Sequence, residues 1–358
     1  MLEQTAVPLF ANHQTFHPRF GWIKKGYDAA AKDPSSFGRR SAPVDLGVGK
    51  NMVEAIRFWS MATKVIARQP HPDRPRLSVY SPTRIGRALL DDRVGLDPYI
   101  EDVTTLWILH WHAVSAPSLL PVWRLAFNDF PAVEFSESEL FQYCRDEIAA
   151  TTWSPPTDNS IRKDIDCLMR MYSRRRARAR ETLDDYLDSP FGALELIRHS
   201  PGNANENYRF ARGAKRSLSA AAITYACLDF MSREGNNVRT ISTSRLAMEP
   251  GSPGRIFKID EQDLADAIEE SSQAVTGLSI ARPAGSRQLA VEGDPALIAL
   301  AVLCARYGIV EEGLNTPEEL DVAGSNCIRP VLSEKQVAQL IRRRDKEFDA
   351  VEKDGDAA

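Results

Sequence analysis

Cysteine is scarce and scattered in this 358-residue chain. The five residues, Cys144, Cys167, Cys227, Cys304 and Cys327, form no CxxC pair and no zinc-ligand spacing. That excludes a zinc knuckle or a dithiol redox site and fits a reducing cytosol. No secretory leader is read at the start. Long apolar runs are missing too. The longest uncharged stretch, TTLWILHWHAVSAPSLLPVW from Thr104 to Trp123, contains His110, His112, Pro117 and Pro121. It reads as a buried helix that stops near Pro117, not as a membrane span. A cytoplasmic protein with no membrane partner is expected. Internal repeats are not visible and alternating strand patterns are few, so the fold is predicted to be mainly α.

Familiar catalytic signatures are also missing. DLGVGKN, Asp45 to Asn51, resembles a phosphate loop, but Val44 stands where a Walker A loop needs its first glycine. Asn51 stands where it needs a hydroxyl. No nucleotide or organic cofactor is therefore expected. There is no ExK tripeptide after an aspartate and no HNH pattern.

Charge is unevenly distributed. The whole chain carries a net charge of −4, yet residues 1–90 hold 14 Lys and Arg against 6 Asp and Glu. Residues 258–358 hold 11 against 20. A basic front and an acidic rear fit a polyanion-binding part joined to one that repels the polyanion or meets a basic partner. Chance segregation of surface charge is the alternative.

Helices follow from periodicity and caps. One is predicted from about Lys50 to Ala67, with Val53, Ile56 and Ile66 inward. Ser81-Pro82 would open the next and place Arg84 and Arg87 on one side. Ser136 to Glu139 is a capping box, and Ser160 is read as the cap of a helix. In that helix Ile161, Ile165, Leu168, Met169 and Tyr172 form an apolar stripe with Arg162, Lys163 and Arg170 outside. Residues 215–233 and 260–272 read as helical, and EPGSPGR, Glu249 to Arg255, as a tight loop between them. Paired short helices with basic outer faces suggest helix-turn-helix or winged-helix-like modules in a multi-domain, mainly α fold with few strands. Residues 1–130 are expected to form a basic, winged-helix-like DNA-binding domain. Residues 131–190 would be a helical segment with an Arg-rich helix, 191–345 an acidic helical domain, and 346–358 a frayed tail.

Several stretches could contact phosphates. Gly47 and Gly49 allow close backbone approach at a helix start, where free N–H groups with Lys50 and Asn51 favour an anion. They could equally make only the turn. HPRFGWIKKGYD mixes Arg19, Lys24 and Lys25 with Phe20, Trp22 and Tyr27; the aromatics either stack bases or belong to the core. Arg174, Arg175, Arg176, Arg178 and Arg180 repel one another unless an anion relieves them, or unless Asp184 and Asp185 pair with them. His110-Trp111-His112 would share a metal on a strand but diverges on a helix. Asp97, Glu101 and Asp102 are the clustered acids that could hold magnesium or manganese, Asp97 and Glu101 foremost, although Asp102 also reads as a helix cap.

Five stretches, HQTFHPRFGWIKKGYDAA, VDLGVGKNMVEAIRFW, SPTRIGRALL, DPYIEDVTTLWILHW and DSPFGALELI, occur in an order that resembles one bacterial family. The family is known as a domain of unknown function beside sulfur-transfer genes, and the SspB-like DNA nickases of Ssp phosphorothioation systems belong to it. The resemblance spans most of residues 10–310 and is strongest from His13 to Trp111. It implies DNA binding and nicking in DNA modification and phage defence. The nick would expose the phosphate to be modified. The resemblance also implies three partners: a cysteine desulfurase, an ATPase and a phosphosulfate-reductase-like protein. The expected function is therefore a metal-dependent nickase acting on double-stranded DNA. A DNA-binding adaptor without catalysis is the alternative.

Overall fold

The computed structural model describes residues 1–173, 189–200, 207–235, 238–308 and 322–355. The Arg run that includes Arg174, Arg175 and Arg176 lies outside the described residues. Among those described the fold is mainly helical, and its few strands are three to five residues long.

Near the start of the chain come α1 (Trp22–Lys32), α2 (Ala42–Leu46) and α3 (Lys50–Ala62). α1 buries Trp22, Ile23, Tyr27 and Ala30, and α3 buries Val53, Ile56 and Trp59. A Cβ on Gly26 would lie 2.0 Å from Ser60 Oγ, so only glycine lets α1 and α3 approach this closely. α3 ends a turn earlier than periodicity predicts. Lys64 turns the chain at φ 62°, and Ile66 begins β1 (Ile66–Pro70), which runs antiparallel to β2 (Ser78–Pro82). The β-branched pair Val65-Ile66 prefers extended backbone, which explains the shortened helix. Ser81-Pro82 likewise closes a strand. Thr83 is the cap of α4 (Arg84–Leu90), its side chain accepting from Gly86 N at 3.0 Å.

α5 (Val103–Val114) is the apolar helix seen in the sequence. All its residues from Thr104 onward are buried, and it stops before Pro117. α6 (Pro121–Arg124) follows. Next come β3 (Glu134–Ser136), α7 (Glu137–Ala149), α8 (Asp158–Tyr172), β4 (Ile197–His199) and β5 (Asn207–Phe210). The capping box at Ser136 forms as predicted. α8 starts two residues before Ser160 and is capped by Thr157, but its inner stripe is the predicted one. β3, β5 and β4 make an antiparallel sheet in that order.

The same plan then recurs. α9 (Ala220–Ser232) leads into β6 (Thr240–Ser242), α10 (Thr243–Met248), α11 (Pro253–Phe257), α12 (Glu261–Ser272), β7 (Leu278–Ala281) and β8 (Gln288–Val291). The sheet order is β6-β8-β7, again first, last, middle. No repeat is visible in the sequence because only the topology repeats. α13 (Pro295–Tyr307) packs on α9, and α14 (Glu334–Gly355) continues as helix into the acidic stretch that reads as a frayed tail. Buried apolar side chains form one continuous cluster from Leu2 to Cys327. A small second cluster joins Val79 to Val337 and Ile341, fastening α14 to the β1–β2 hairpin.

Candidate nucleic-acid and metal site

α1 projects its polar face into a cleft of about 530 Å³ that also meets α2 and α14. Lys24, Lys25, Lys32 and Arg344 line it, with Asp28, Asp33 and Asp45 among them. Lys25 is exposed and its Nζ donates to Leu46 O at 2.8 Å, tying α1 to the end of α2. Gly47 closes α2 in the left-handed region at φ 62°, and Gly49 caps α3 in an extended conformation. A Cβ at either glycine would meet nothing within 4 Å. Glycine at 47 thus serves the turn, while the open space leaves the N-terminus of α3, with exposed Lys50 and Asn51, accessible from solvent.

Beside this cleft, Lys24 is drawn between two carboxylates. Its Nζ donates to Asp28 Oδ1 at 2.5 Å and to Asp92 Oδ1 at 2.7 Å. Burial works against this ammonium, but the two aspartates outweigh it and raise the Lys24 pKa. Burial first, then the charges of Asp92 and Asp91, push Asp28 up against the pull of Lys24. Both members of this pair therefore shift upward. Partial burial is the main reason that Asp28 rises, and the neighbouring Asp92 and Asp91 add to it. Asp28 and Asp92 are 47% and 64% exposed, so the cluster is open to solvent and adds little to stability. Tyr27 OH donates to Asp91 Oδ2 at 3.2 Å, and the exposed Tyr99 ring lies 5.7 Å from Lys24 Nζ. The fold thus brings α1, the turn after α4 and the loop before α5 to one place.

The three acids favoured by the sequence lie on that last loop, and two of them are committed to structure. Asp97 is buried; its Oδ1 accepts from Glu101 N, while Oδ2 accepts from Asp102 N and Thr105 Oγ1. Asp102 caps α5 by accepting from Thr104 N at 2.8 Å and pairs with Arg306 at 2.5 Å. Only Glu101 points to solvent. Carboxylates engaged in this way shape the loop that presents Tyr99.

The remaining expectations separate. Trp22 and Tyr27 are core residues, leaving Phe20 as the exposed aromatic of its stretch, while Arg19 lies over the Phe16 and Trp22 rings. Arg84 and Arg87 are half-buried, and the first turn of α4 is covered where Arg84 N and Ile85 N donate to Arg329 O and Cys327 O. Arg162 and Lys163 are exposed on α8, the Arg162 guanidinium stacking 3.8 Å above the Phe141 ring. His110 and His112 diverge on α5, one meeting Tyr172 OH at 2.7 Å and the other Tyr225 OH at 2.8 Å. Burial lowers both to about 3, so both are neutral at physiological pH.

One buried set of metal-type donors occurs among the described residues: His112, Asp229 and Cys327, with ligand atoms within 4.8 Å of one another. It does not suit a cation. Arg233 pairs with Asp229, and Lys64 stands close enough to shift with both. Asp229 also accepts from Gly324 N at 2.7 Å and Trp111 Nε1 at 2.8 Å. The cluster locks α5, α9, the turn after α3 and the chain near Gly324 together. Neither it nor the Lys24 cluster is legible in sequence, because their members come from segments far apart in the chain. The one local hint was Lys24 and Asp28 at i, i+4.

Residues 10–307 match a family described as a protein of unknown function, DUF4007, and the chain belongs to that family. No curated protein matches it. Among solved structures it is similar to an SspB crystal structure, with 35% identity, 98% of each chain covered and a TM-score of 0.81. It is likewise similar to a magnesium ion-bound SspB crystal structure, with 34% identity, 97% of this chain and 99% of that one covered, and a TM-score of 0.83. No helix among the described residues is long and apolar enough to cross a membrane.

Proposed function

We propose that this protein is the DNA-binding and DNA-nicking component of an Ssp-type phosphorothioation and defence system, acting with a desulfurase, an ATPase and a phosphosulfate-reductase-like protein. The observation that carries this reading is the near full-length similarity to SspB, one form of which holds magnesium. The Lys24 cluster fits such an ion. An ammonium already occupies the space between Asp28 and Asp92, and a hard divalent cation takes the same oxygen donors. Asp28 and Asp92 would hold the metal, which supplies charge stabilisation for phosphodiester hydrolysis. Lys24, displaced from the carboxylates, would turn to the phosphate. Lys25, Lys50 and the N–H groups at the start of α3 would fix the backbone in register. Asp97 and Asp102 would then act by shaping the neighbouring loop, and the Glu101 side chain would take no part.

The first unit has the strand–helix–helix–hairpin order of a winged helix and the second adds the short α11 to it, and we read both as winged-helix-like. α8 would then present Arg162 and Lys163 to the duplex. α12 carries Glu261, Asp263, Asp266, Glu269 and Glu270 and no basic residue, so the second unit would turn away from phosphate. The adaptor reading is favoured by one observation: the sequence carries no recognisable nuclease motif.

Nicking of supercoiled plasmid, with magnesium, with manganese and with a chelator, tests the enzyme. Open circles that require metal, lost in Asp28→Asn/Asp92→Asn and kept in Glu101→Gln, support the assignment. DNA binding without nicking under every condition refutes independent catalysis and favours the adaptor.

A further inference from the structure

A second cation-rich pocket, of about 490 Å³, lies where the loop before β3 meets α10 and α11. Arg212, Arg255 and Lys258 line it, opposed by Asp129 and Asp260. Both acids are engaged elsewhere. Asp129 accepts from Asn128 Nδ2 at 2.7 Å, and Asp260 caps α12 by accepting from Gln262 N and Asp263 N, each at 2.9 Å. Arg255 is held by carbonyls alone, donating to Met248 O at 2.6 Å and Asn128 O at 3.0 Å. Those bonds fix the guanidinium without neutralising it. Lys215 stands behind, its Nζ donating to Gly213 O and Phe257 O, both at 2.8 Å. Lys258 Nζ lies 4.6 Å from the Phe210 ring centre. Three cations thus face two carboxylates whose hydrogen bonds come from neutral donors, which leaves the pocket an excess of one positive charge.

Lys258 is informative in its backbone as well. It ends α11 in the left-handed region at φ 57°, where glycine or asparagine is favoured. Burial, followed by the nearby Arg212 and Arg255, pushes Lys258 down to about 7, as expected of an ammonium short of an anion.

We propose that this pocket is a phosphate-binding subsite in which Arg212, Arg255 and Lys258 converge on one phosphate group. The cations carry the site by themselves; attributing the phosphate to DNA rests on the function proposed above. Its source would be either a backbone phosphodiester or the terminal phosphate at a strand end, and chemistry common to both is what the pocket recognises.

Titration calorimetry with inorganic phosphate tests the site on the full chain. The wild type should bind, and Arg212→Gln and Lys258→Met should each weaken binding by about tenfold, with Lys258→Arg restoring most of it. Arg212 is exposed, so its variant remains informative if Lys258→Met misfolds. Duplexes with a nick bearing a 5′-phosphate or a 5′-hydroxyl separate the sources. A preference for the phosphate that vanishes in Arg212→Gln assigns a strand end; equal losses on nicked and intact duplex assign the backbone. Phosphate binding that is undetectable, or unchanged in both variants, overturns the proposal. Phosphate binding by a protein that binds no duplex would uphold the pocket and refute the DNA reading.

Discussion

Asp229→Ala offers a severe test of the buried junction. The carboxylate is fully buried, faces Arg233, and accepts from Gly324 N and Trp111 Nε1. Removing one partner of a buried ion pair costs about 3–5 kcal/mol. The two orphaned donors would each cost about 1–3 kcal/mol if counted alone. These terms describe the same cluster and do not add. Arg233 keeps Ser115 Oγ and Ala116 O as acceptors, which moderates its loss. The expected destabilisation is about 4 kcal/mol. At an unfolding entropy of about 2.1 cal/mol/K per residue, a chain of 358 residues shifts by roughly 1–2 °C per kcal/mol, so the melting temperature should fall by on the order of 5 °C. Urea denaturation followed by tryptophan fluorescence reads it, since Trp111 loses its partner. A loss below about 1 kcal/mol would refute the reasoning. So would a double variant, Asp229→Leu with Arg233→Met, no more stable than the single one, because removing both charges should recover part of the cost.

Other outcomes follow from single contacts. Lys50→Gln should reduce the slope of log affinity against log salt by about one unit, measured by fluorescence anisotropy on duplex DNA; an unchanged slope would leave Gly47 to Asn51 as a turn. Gly26→Ala should cost about 1–3 kcal/mol by overpacking against Ser60, and Ser60→Gly in the same chain should relieve it in a thermal melt. Burial, aided by Arg233, lowers Lys64 from 10.5 to about 7. The unfolded chain then holds a proton that the folded chain releases, so stability attributable to Lys64 should rise with pH between about 7 and 10.5. Its slope is at most about 1.4 kcal/mol per pH unit, and Lys64→Met should flatten the profile in denaturant titrations at fixed salt.

Local patterns were legible and long-range ones were not. The stripe of α8, the capping box at Ser136 and the stop of α5 before Pro117 depend on residues within a few positions of one another. The end of α3 was misread because Lys64 adopts an uncommon backbone region that no periodicity announces. Asp97 and Glu101 are favoured as metal ligands by clustering alone, and composition does not show the N–H groups from which Asp97 and Asp102 accept. Asp28 and Asp92 went unnoticed because Lys24 joins them only after the fold places the turn after α4 beside α1. The repeated topology was hidden for a related reason: a shared strand order constrains which positions are apolar, not which residues fill them.

That duplication has a directional consequence. Two units of similar plan carry helices of unlike net charge: α8 balances Arg162, Lys163 and Arg170 against Asp158, Asp164 and Asp166, whereas α12 carries five acids and no basic residue. If the chain binds DNA as proposed, the surface that carries α12 would repel a duplex while the outer face of α8, with Arg162 and Lys163, would not. Under the proposed DNA-binding function, the two ways to lay the chain along a duplex would differ in energy before any base is touched. Polarity on the strand would then be inherited from the scaffold, and whatever engages the far end would always meet the same side of the DNA.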